Sequence, residues 1–303
     1  IIISFGMPFS AIAKPEEKIL NELNSEVLRV EVNHQNGSKG LGSGVVIASS
    51  QVATNCHVVT DAKDIRVVFN NIRYIAESMK PDWHHDICIL NIPKLDAPIA
   101  KFGSSKHLRY QDSVLTVGYP SETQHPVNSF GEIVGLFLMD GGMVISATSG
   151  FNLGASGGGI FDDSGRLLGL ITLKSRGDSP KYFFMPVEWV LATLDKPDQD
   201  LGIPDHKPFW AKNSSQLPFF MRVVQPLAKH DWKTLKNIAS DWVKDEPNAA
   251  ESWRYLAIAE YEIQDYQQAI AHFEKAKLVA QDDIVPINYR LNVEKIYSRA
   301  KKI

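Results

Sequence analysis

Short runs of valine and isoleucine, separated by glycine- and asparagine-rich turns, fill the first two thirds of the chain. Runs of this kind predict β-strands, and segments such as Asn36-Gly37 mark the turns between them. Many short strands in succession are typical of an all-β barrel or sandwich. The predicted strands form two series, Ser25–Asn33, Gly44–Ala48, Asp64–Phe69 and Asp86–Ile92, then Ser113–Gly118, Gly131–Leu138, Met143–Thr148, Gly159–Phe161, Leu167–Leu173 and Lys181–Met185.

The pattern changes after the last predicted strand. Residues 186–194 suit a short helix that closes the β-region. Residues 195–220 are polar and contain four prolines, which break any long element. We therefore expect this segment to be a linker that crosses the surface in an ordered form.

From about residue 221 the apolar positions recur with a helical period and then repeat after 34 residues. A 34-residue repeat of this pattern resembles the tetratricopeptide (TPR) repeat, which stacks helix pairs around one core. The pattern predicts about one and a half such repeats and a terminal helix at 283–302; an unrelated helical hairpin is the alternative. The matching positions are Trp232, Leu235, Ala239 and Trp242, followed by Trp253, Leu256, Ala257, Tyr266, Ala269, Phe273 and Ala276.

Composition and charge restrict the function only broadly. With 303 residues the chain is long enough for two domains, and its 44% hydrophobic and 22% charged residues are ordinary for a globular protein. The formal net charge of −3 gives no reason to expect nucleic acid or an anionic membrane as a partner. The sequence also lacks an apolar run of the ~20 residues that a membrane-spanning helix needs.

The first residues suggest export. Residues 1–9 are mostly apolar, and Ala11 and Ala13 match the small-x-small pattern of a signal peptidase site. We expect residues 1–13 to be the end of a secretory signal that is cleaved near Ala13. An ordinary buried or disordered segment and an uncleaved anchor are the alternatives.

Three segments carry residues suited to nucleophilic catalysis. Gly154-Ala155-Ser156-Gly157-Gly158-Gly159 presents a serine between glycines, which permit backbone conformations with positive φ. Upstream lie His57 and, 29 residues later, Asp86; Ser156 follows after another 70 residues. A serine hydroxyl needs an imidazole to accept its proton and a carboxylate to orient that imidazole. His57, Asp86 and Ser156 are therefore the candidate catalytic residues, with Asp82 and Asp96 as competing acids.

Four motifs in this order resemble the trypsin-like serine peptidases, specifically their bacterial HtrA-like branch, over about residues 25–194. They are Thr54-Asn55 with His57-Val58-Val59, Asp86-Ile87, Gly154-x-Ser156-Gly157-Gly158 and the segment from Asp163 to Leu170. The resemblance implies a mainly β domain of two six-stranded barrels with the active site between them. The 34-residue repeat adds a small all-α TPR-like domain after it. The implied domain bounds are 14–194 for the protease domain, 195–220 for the linker and 221–303 for the helices.

The same resemblance assigns further roles. The backbone N–H groups of Gly154 and Ser156 would form the oxyanion hole. Gly150 would lie at the base of the primary specificity pocket, with an edge formed by Thr172, Leu173 and Lys174. An uncharged base favours small or aliphatic residues over Arg or Lys. Ala155 replaces the aspartate of trypsin-type zymogens, and the helices take the place of the PDZ domain of typical HtrA proteins.

The two cysteines each lie beside a proposed catalytic residue, Cys56 before His57 and Cys88 two residues after Asp86. A Cys56–Cys88 disulfide would suit an exported protein, whereas two buried thiols are the alternative. His84 and His85 beside these residues could suggest a metal site, but neighbours on a strand point to opposite faces. We therefore expect no metal and no cofactor.

The leading interpretation is a secreted or periplasmic serine endopeptidase that acts on proteins or peptides, with the helices docking a substrate or partner. The alternative is a protease-like binding protein that has lost activity and works through its helices. An esterase could use the same triad, but the chain lacks the alternating β–α pattern of the usual esterase fold.

Overall fold

The computed structural model describes residues 16–176, 180–201 and 207–280. The predicted signal segment at 1–13 and the predicted terminal helix at 283–302 lie outside these ranges. Within them, two β-sheets are followed by a helical region. The strands are β1 (Val27–His34), β2 (Lys39–Ala48), β3 (Gln51–Thr54), β4 (Ala62–Phe69), β5 (Ile72–Ile75), β6 (Ser78–Asp82), β7 (Ile87–Asn91), β8 (Lys101–Phe102), β9 (Ser113–Gly118), β10 (Val127–Met139), β11 (Gly142–Ala147), β12 (Gly159–Phe161), β13 (Arg166–Lys174) and β14 (Tyr182–Pro186).

The helices begin before the first sheet and continue after the second. The first three are α1 (Glu17–Glu26), α2 (Cys56–Val59) and α3 (Val187–Leu194), and α3 confirms the predicted closing helix. The C-terminal helices are α4 (Phe219–Arg222), α5 (Val224–Ala228), α6 (Trp232–Asp245), α7 (Ala250–Glu262) and α8 (Tyr266–Val279).

Each sheet is barrel-like and contains seven strands rather than the six expected. The first has the order β5-β4-β1-β2-β3-β7-β6, and the second has the order β12-β9-β10-β11-β14-β13-β8. In the second sheet β12 also pairs with β13, so six strands form a closed ring and β8 adds to its edge. The prediction missed β3, β5, β6 and β8 because they are only two to five residues long.

The segment expected to be a surface linker is partly buried. Phe209 is 2% exposed and belongs to the same buried cluster as side chains of both sheets. Gln199 forms an isolated bridge with Met79 of β6. The described residues of this segment form no long helix or strand, as the prolines predicted, but the sequence pattern did not predict these two points of attachment.

The C-terminal helices pack on the second barrel. The ring of Phe220 stacks on Phe137 of β10 at 4.7 Å between centroids and lies 5.8 Å from Phe183 of β14. Trp242 of α6 continues the same cluster. Helices α6 and α8 begin 34 residues apart, at Trp232 and Tyr266. The domain bounds stay predictions, since one hydrophobic core continues from the second barrel into the helices.

The end of α1 buries an acidic side chain. Glu26 is only 6% exposed, and its Oε2 atom has no hydrogen-bond partner. Burial raises the pKa of Glu26 to about 7, because the charged form loses hydration; nearby Lys101 only partly opposes this effect. When the pKa of an acid is higher in the folded protein than in the unfolded chain, folding becomes less favourable as the pH rises above the unfolded-state pKa.

We expect Glu26→Gln to raise the thermal midpoint at pH 8 and to leave it nearly unchanged near pH 4. The wild-type protein should lose stability between about pH 4.5 and pH 7, and the variant should not. The difference at pH 8 is at most about 3 kcal/mol, from the size of the pKa change. Thermal denaturation across this pH range measures it, with the exposed Glu17→Gln at the start of the same helix as the control. An identical pH dependence in wild type and Glu26→Gln would contradict the assignment.

Candidate active site

His57 and Asp86 are brought together by neighbouring strands of the first sheet. Helix α2, which carries His57, follows β3 directly, and β3 pairs with β7 so that Thr54 lies opposite Cys88. Asp86 is the last residue of the turn before β7 and adopts a positive φ of 61°. The predicted strand at 86–92 therefore begins one residue later than expected, and the turn directs the Asp86 carboxylate to His57.

The Asp86 carboxylate is fully buried and receives hydrogen bonds from His57. Its Oδ2 atom lies 2.6 Å from His57 Nδ1, and its Oδ1 atom accepts the His57 backbone N–H at 2.8 Å. The backbone oxygen of Asp86 accepts a further hydrogen bond from Asn55 Nδ2 at 3.0 Å. These contacts hold both the orientation and the tautomer of the imidazole, so that Nε2 is left as the reactive nitrogen.

The competing acids are placed elsewhere. Asp82 pairs with His85 at 2.9 Å and with Lys196 at 3.0 Å. Burial opposes ionisation of Asp82, but the hydrogen bonds from His85 and Lys196 outweigh it and hold its pKa well below the usual range. Asp96 is exposed. In the described structure, Asp86 is thus the acid that meets His57.

The serine turn packs against the first barrel. Gly154 and Gly157 have φ values of 93° and 85°, and a Cβ atom on Gly157 would lie 2.2 Å from the Ser43 carbonyl oxygen. Ser43 of β2 donates its backbone N–H to the carbonyl of Ser156 at 2.8 Å and its hydroxyl to the carbonyl of Gly154 at 3.0 Å. The same Ser43 accepts, through its own carbonyl, the Thr54 hydroxyl at 2.7 Å.

Ser43 is a residue of the site that the sequence analysis missed. The sequence pattern predicts a strand only from Gly44, whereas β2 begins at Lys39 and includes Ser43. Ser43 is fully buried, and its hydroxyl also accepts the backbone N–H of Tyr119. A serine between two glycines near the start of a valine-rich run was the available signal, since small neighbours allow another backbone to approach closely.

The serine turn leaves several groups without a partner. The Ser156 side chain is half-buried, and within the described residues its hydroxyl makes no hydrogen bond. The backbone N–H groups of Gly154 and Ser156 likewise have no acceptor in that part of the chain, whereas Ala155, Gly157 and Gly158 all donate theirs. Two free N–H groups beside a serine are the arrangement that stabilises a developing oxyanion.

Some of the residues expected to form the specificity pocket lie beside Tyr182, whereas Thr172 contacts Asn55. A Cβ atom at Gly150 would lie 3.0 Å from the Tyr182 hydroxyl, so that Tyr182 occupies the space beside it. Leu173 is half-buried, and the Lys174 ammonium lies 5.6 Å from the centre of the Tyr182 ring. Thr172 is buried and accepts a hydrogen bond from Asn55 at 2.9 Å. Thr172 therefore supports the residue that contacts Asp86.

Trp210 is a second residue that the sequence analysis missed. Its indole N–H donates to Asp86 Oδ2 at 3.2 Å, and its ring lies 5.5 Å from that of His57 in an edge-on orientation. It belongs to the segment expected to be a linker. Phe209 beside it donates its backbone N–H to the His84 carbonyl at 3.0 Å. Two adjacent aromatic residues in a polar, proline-rich segment were the signal for this contact.

The two cysteines form a disulfide, which joins the segment carrying His57 to the strand that follows Asp86.

The geometry of His84 and His85 differs from the expectation. Both lie in a turn rather than on a strand, and their ring centroids are 4.7 Å apart. The prediction that the two histidine side chains point to opposite faces of a strand is therefore wrong.

Comparisons with known proteins agree with this geometry. Residues 42–170 match the family model described as a trypsin-like peptidase domain. The chain carries a trypsin-like peptidase domain. It is 30% identical over 174 residues to a probable periplasmic serine endoprotease DegP-like protein of Marinomonas sp. (strain MWYL1), covering 55% of this chain and 37% of that protein. It is also 28% identical over 146 residues to the serine protease Do-like HtrA of Lactobacillus helveticus, covering 44% and 35%. The chain thus spans just over a third of these relatives.

Solved structures share the fold of the trypsin-like peptidase domain. The active form of the Rv3671c protease from M. tuberculosis has a TM-score of 0.56 at 20% identity, covering 67% of this chain and 98% of that one. The HtrA-type protease AlgW with a tripeptide has a TM-score of 0.52 at 25% identity, covering 57% and 60%. None of the described helices combines the length and the apolar character needed to cross a membrane.

We expect the Cys56–Cys88 disulfide to contribute about 3–4 kcal/mol to the free energy of unfolding, because it closes a loop of 32 residues. The double variant Cys56→Ala with Cys88→Ala should therefore melt at a lower temperature than the oxidised protein. Wild-type protein treated with a reductant should shift in the same direction, while the double variant should not respond. Two alkylatable thiols in unfolded, unreduced protein would contradict the disulfide.

Proposed function

We propose that the chain is a serine endopeptidase with His57, Asp86 and Ser156 as its catalytic triad. The proposal rests on the pairing of His57 with the buried Asp86 carboxylate and on a serine turn with two free N–H groups. The trypsin-like peptidase domain and the endoprotease relatives support the same reaction class. We take the substrates to be proteins or peptides.

We propose that these groups act by the serine-peptidase mechanism. The Ser156 hydroxyl attacks the scissile carbonyl while His57 Nε2 accepts its proton, and buried Asp86 stabilises the resulting imidazolium. The N–H groups of Gly154 and Ser156 hold the negative charge of the tetrahedral intermediate. His57 then donates its proton to the leaving amine, which breaks the C–N bond and leaves an acyl-enzyme. Water, deprotonated by His57, hydrolyses the ester and restores Ser156.

We propose a preference for small or aliphatic residues at the cleaved position. Gly150 supplies no carboxylate at the base of the pocket, and the Tyr182 hydroxyl lies beside it. A long basic side chain would find neither a counter-charge nor free space there. The ammonium of Lys174, held over Tyr182, further disfavours a cationic side chain.

We also propose that the protein acts in the periplasm or outside the cell. The disulfide fits an oxidising compartment, and the first relative is named as periplasmic. For the C-terminal helices we propose a TPR-like docking role toward a substrate or partner. The 34-residue spacing of α6 and α8 supports a repeat, and the packing of Phe220 on Phe137 shows that these helices are attached firmly to the second barrel.

We expect Ser156→Ala and His57→Ala each to reduce peptide hydrolysis by about 10⁴-fold or more without unfolding the protein, since the triad acts as a unit. Asp86→Asn should be similarly severe because it favours the wrong imidazole tautomer. N-terminal profiling of peptides released from a denatured protein mixture measures both activity and the preferred residue. The exposed Ser164→Ala in the same domain is the control.

Wild-type turnover in Ser156→Ala would contradict the triad, and a clear preference for Arg or Lys would contradict the pocket. Labelling of Ser156 by a fluorophosphonate probe separates an active enzyme from the alternative, a catalytically silent binding protein. Peptide and ester substrates then separate a peptidase from an esterase.

We expect Trp210→Phe to lower kcat about tenfold while KM changes little. Phenylalanine keeps the aromatic ring beside His57 but removes the donor to Asp86, and a charge-assisted hydrogen bond contributes about 1.5–3 kcal/mol. Steady-state kinetics on a short peptide measures the effect. Trp253→Phe is a matched control, since Trp253 also donates its indole N–H, but to the Pro247 carbonyl in the helical region. Equal kcat for the wild-type and Trp210→Phe proteins would contradict the role of Trp210.

We expect truncation after Leu217 to leave short-peptide hydrolysis largely intact but to reduce cleavage of protein substrates. The triad and Trp210 are retained, whereas α4–α8 are removed. The thermal midpoint should fall, because Phe137 and Phe183 lose their contact with Phe220. Both activities must therefore be assayed below the midpoint of the truncated protein. A parallel loss of the two activities there would indicate that the helices only brace the barrel.

A further inference from the structure

A second cluster of reactive side chains lies at the seam between the two barrels. His84 and His85 belong to the turn that ends at Asp86, and Asp140 belongs to the turn between β10 and β11. Asp140 Oδ2 lies 3.0 Å from His85 Nε2 and 3.5 Å from His84 Nε2. One donor atom from each of the three residues lies within 4.8 Å of the other two.

The donors have the chemistry of a transition-metal site. Imidazole nitrogen and carboxylate oxygen are ligands of Zn²⁺, at distances of about 2.0–2.2 Å from the ion. Ligands around a tetrahedral ion at such distances lie a little over 3 Å apart, so the two observed contacts to Asp140 nearly meet this spacing. The donor atoms of His84 and His85 lie within 4.8 Å of each other, so these two must move closer together to bind one ion.

The environment of His85 provides the orienting group that metal-binding histidines usually have. Asp82 Oδ2 lies 2.9 Å from His85 Nδ1, which leaves Nε2 directed at Asp140. A carboxylate on the far nitrogen of a ligating histidine fixes its tautomer and orientation. Lys196 contacts Asp82 at 3.0 Å and keeps this second carboxylate in place on the side away from Asp140.

The backbones of the three residues are also fixed. The Trp189 indole donates to the Asp140 carbonyl at 3.1 Å, and the Trp189 ring lies 4.1 Å from the ring of His85. The His84 carbonyl accepts the backbone N–H of Phe209. Since the Asp140 side chain is about half exposed, solvent reaches the cluster from one side. An ion can therefore enter and retain water in its open coordination positions.

We propose that His84, His85 and Asp140 bind a divalent transition-metal ion of the Zn²⁺ class, with water completing the coordination. The bound ion joins the turn that carries Asp86 to the β10–β11 turn of the second barrel. Metal binding to the folded state alone raises its stability. The proposal concerns binding and does not depend on peptidase activity.

Isothermal titration of the full chain with Zn²⁺, and the visible absorption of bound Co²⁺, test the site directly. We expect one ion per chain and an increase in the thermal midpoint. His84→Ala and Asp140→Asn should each abolish or strongly weaken binding. Asp82→Asn, which removes only the orienting carboxylate, should weaken it by about 10–100-fold.

Two controls keep the result specific to this cluster. His57→Ala should retain the ion, which separates the site from a metal held at the triad. His107→Ala and His125→Ala remove exposed histidines elsewhere and should have no effect. No saturable binding by the wild-type protein would overturn the proposal. So would binding that survives His84→Ala with Asp140→Asn, or binding that is lost in His57→Ala. Circular dichroism of each variant confirms that it is folded.

Discussion

The buried carboxylate of Asp86 imposes the constraint on which the site depends. A charge without solvent contact is unfavourable unless hydrogen bonds replace its hydration. Here two segments supply those bonds or support them: Asn55 and His57 at the start of α2, and Trp210 from beyond the second barrel. Satisfying one buried group therefore fixes the imidazole and also draws the chain after residue 195 back over the first barrel.

A second set of contacts fixes the position of one barrel relative to the other. Buried Ser43 bonds to both Gly154 and Ser156 across the interface, and Gly157 approaches the same strand too closely for any side chain. The serine turn is thus positioned by the first barrel as well as by the second barrel, to which it belongs. The continuous core from Phe137 through Phe220 to Trp242 extends this arrangement into the helices.

The sequence predicted the parts of the molecule that local patterns encode. Val- and Ile-rich runs indicated most of the strands, and the glycines around Ser156 indicated a turn with positive φ. The pairing of His57 with Asp86 was predicted from their order and from the family motifs around them, and their side chains do form a hydrogen bond. The disulfide was one of two alternatives that the sequence left open.

The missed features depend on contacts between residues far apart in the chain. Ser43 lies 111 residues from Gly154, and Trp210 lies 124 residues from Asp86. Local signals can mark such residues, but hydrophobic periodicity and turn motifs do not identify their distant partners. His84 and His85 were misplaced because they were treated as strand residues, whereas they lie in the turn between β6 and β7.

The placement of Ser43 has a consequence for motion. Its backbone and side chain bond to residues on both sides of the interface, so a rotation of one barrel relative to the other must break several hydrogen bonds together. The joint between the barrels is therefore stiff, and loosening it breaks the hydrogen bonds that hold the serine turn. The two barrels therefore form one cooperative unit and do not open and close about a hinge.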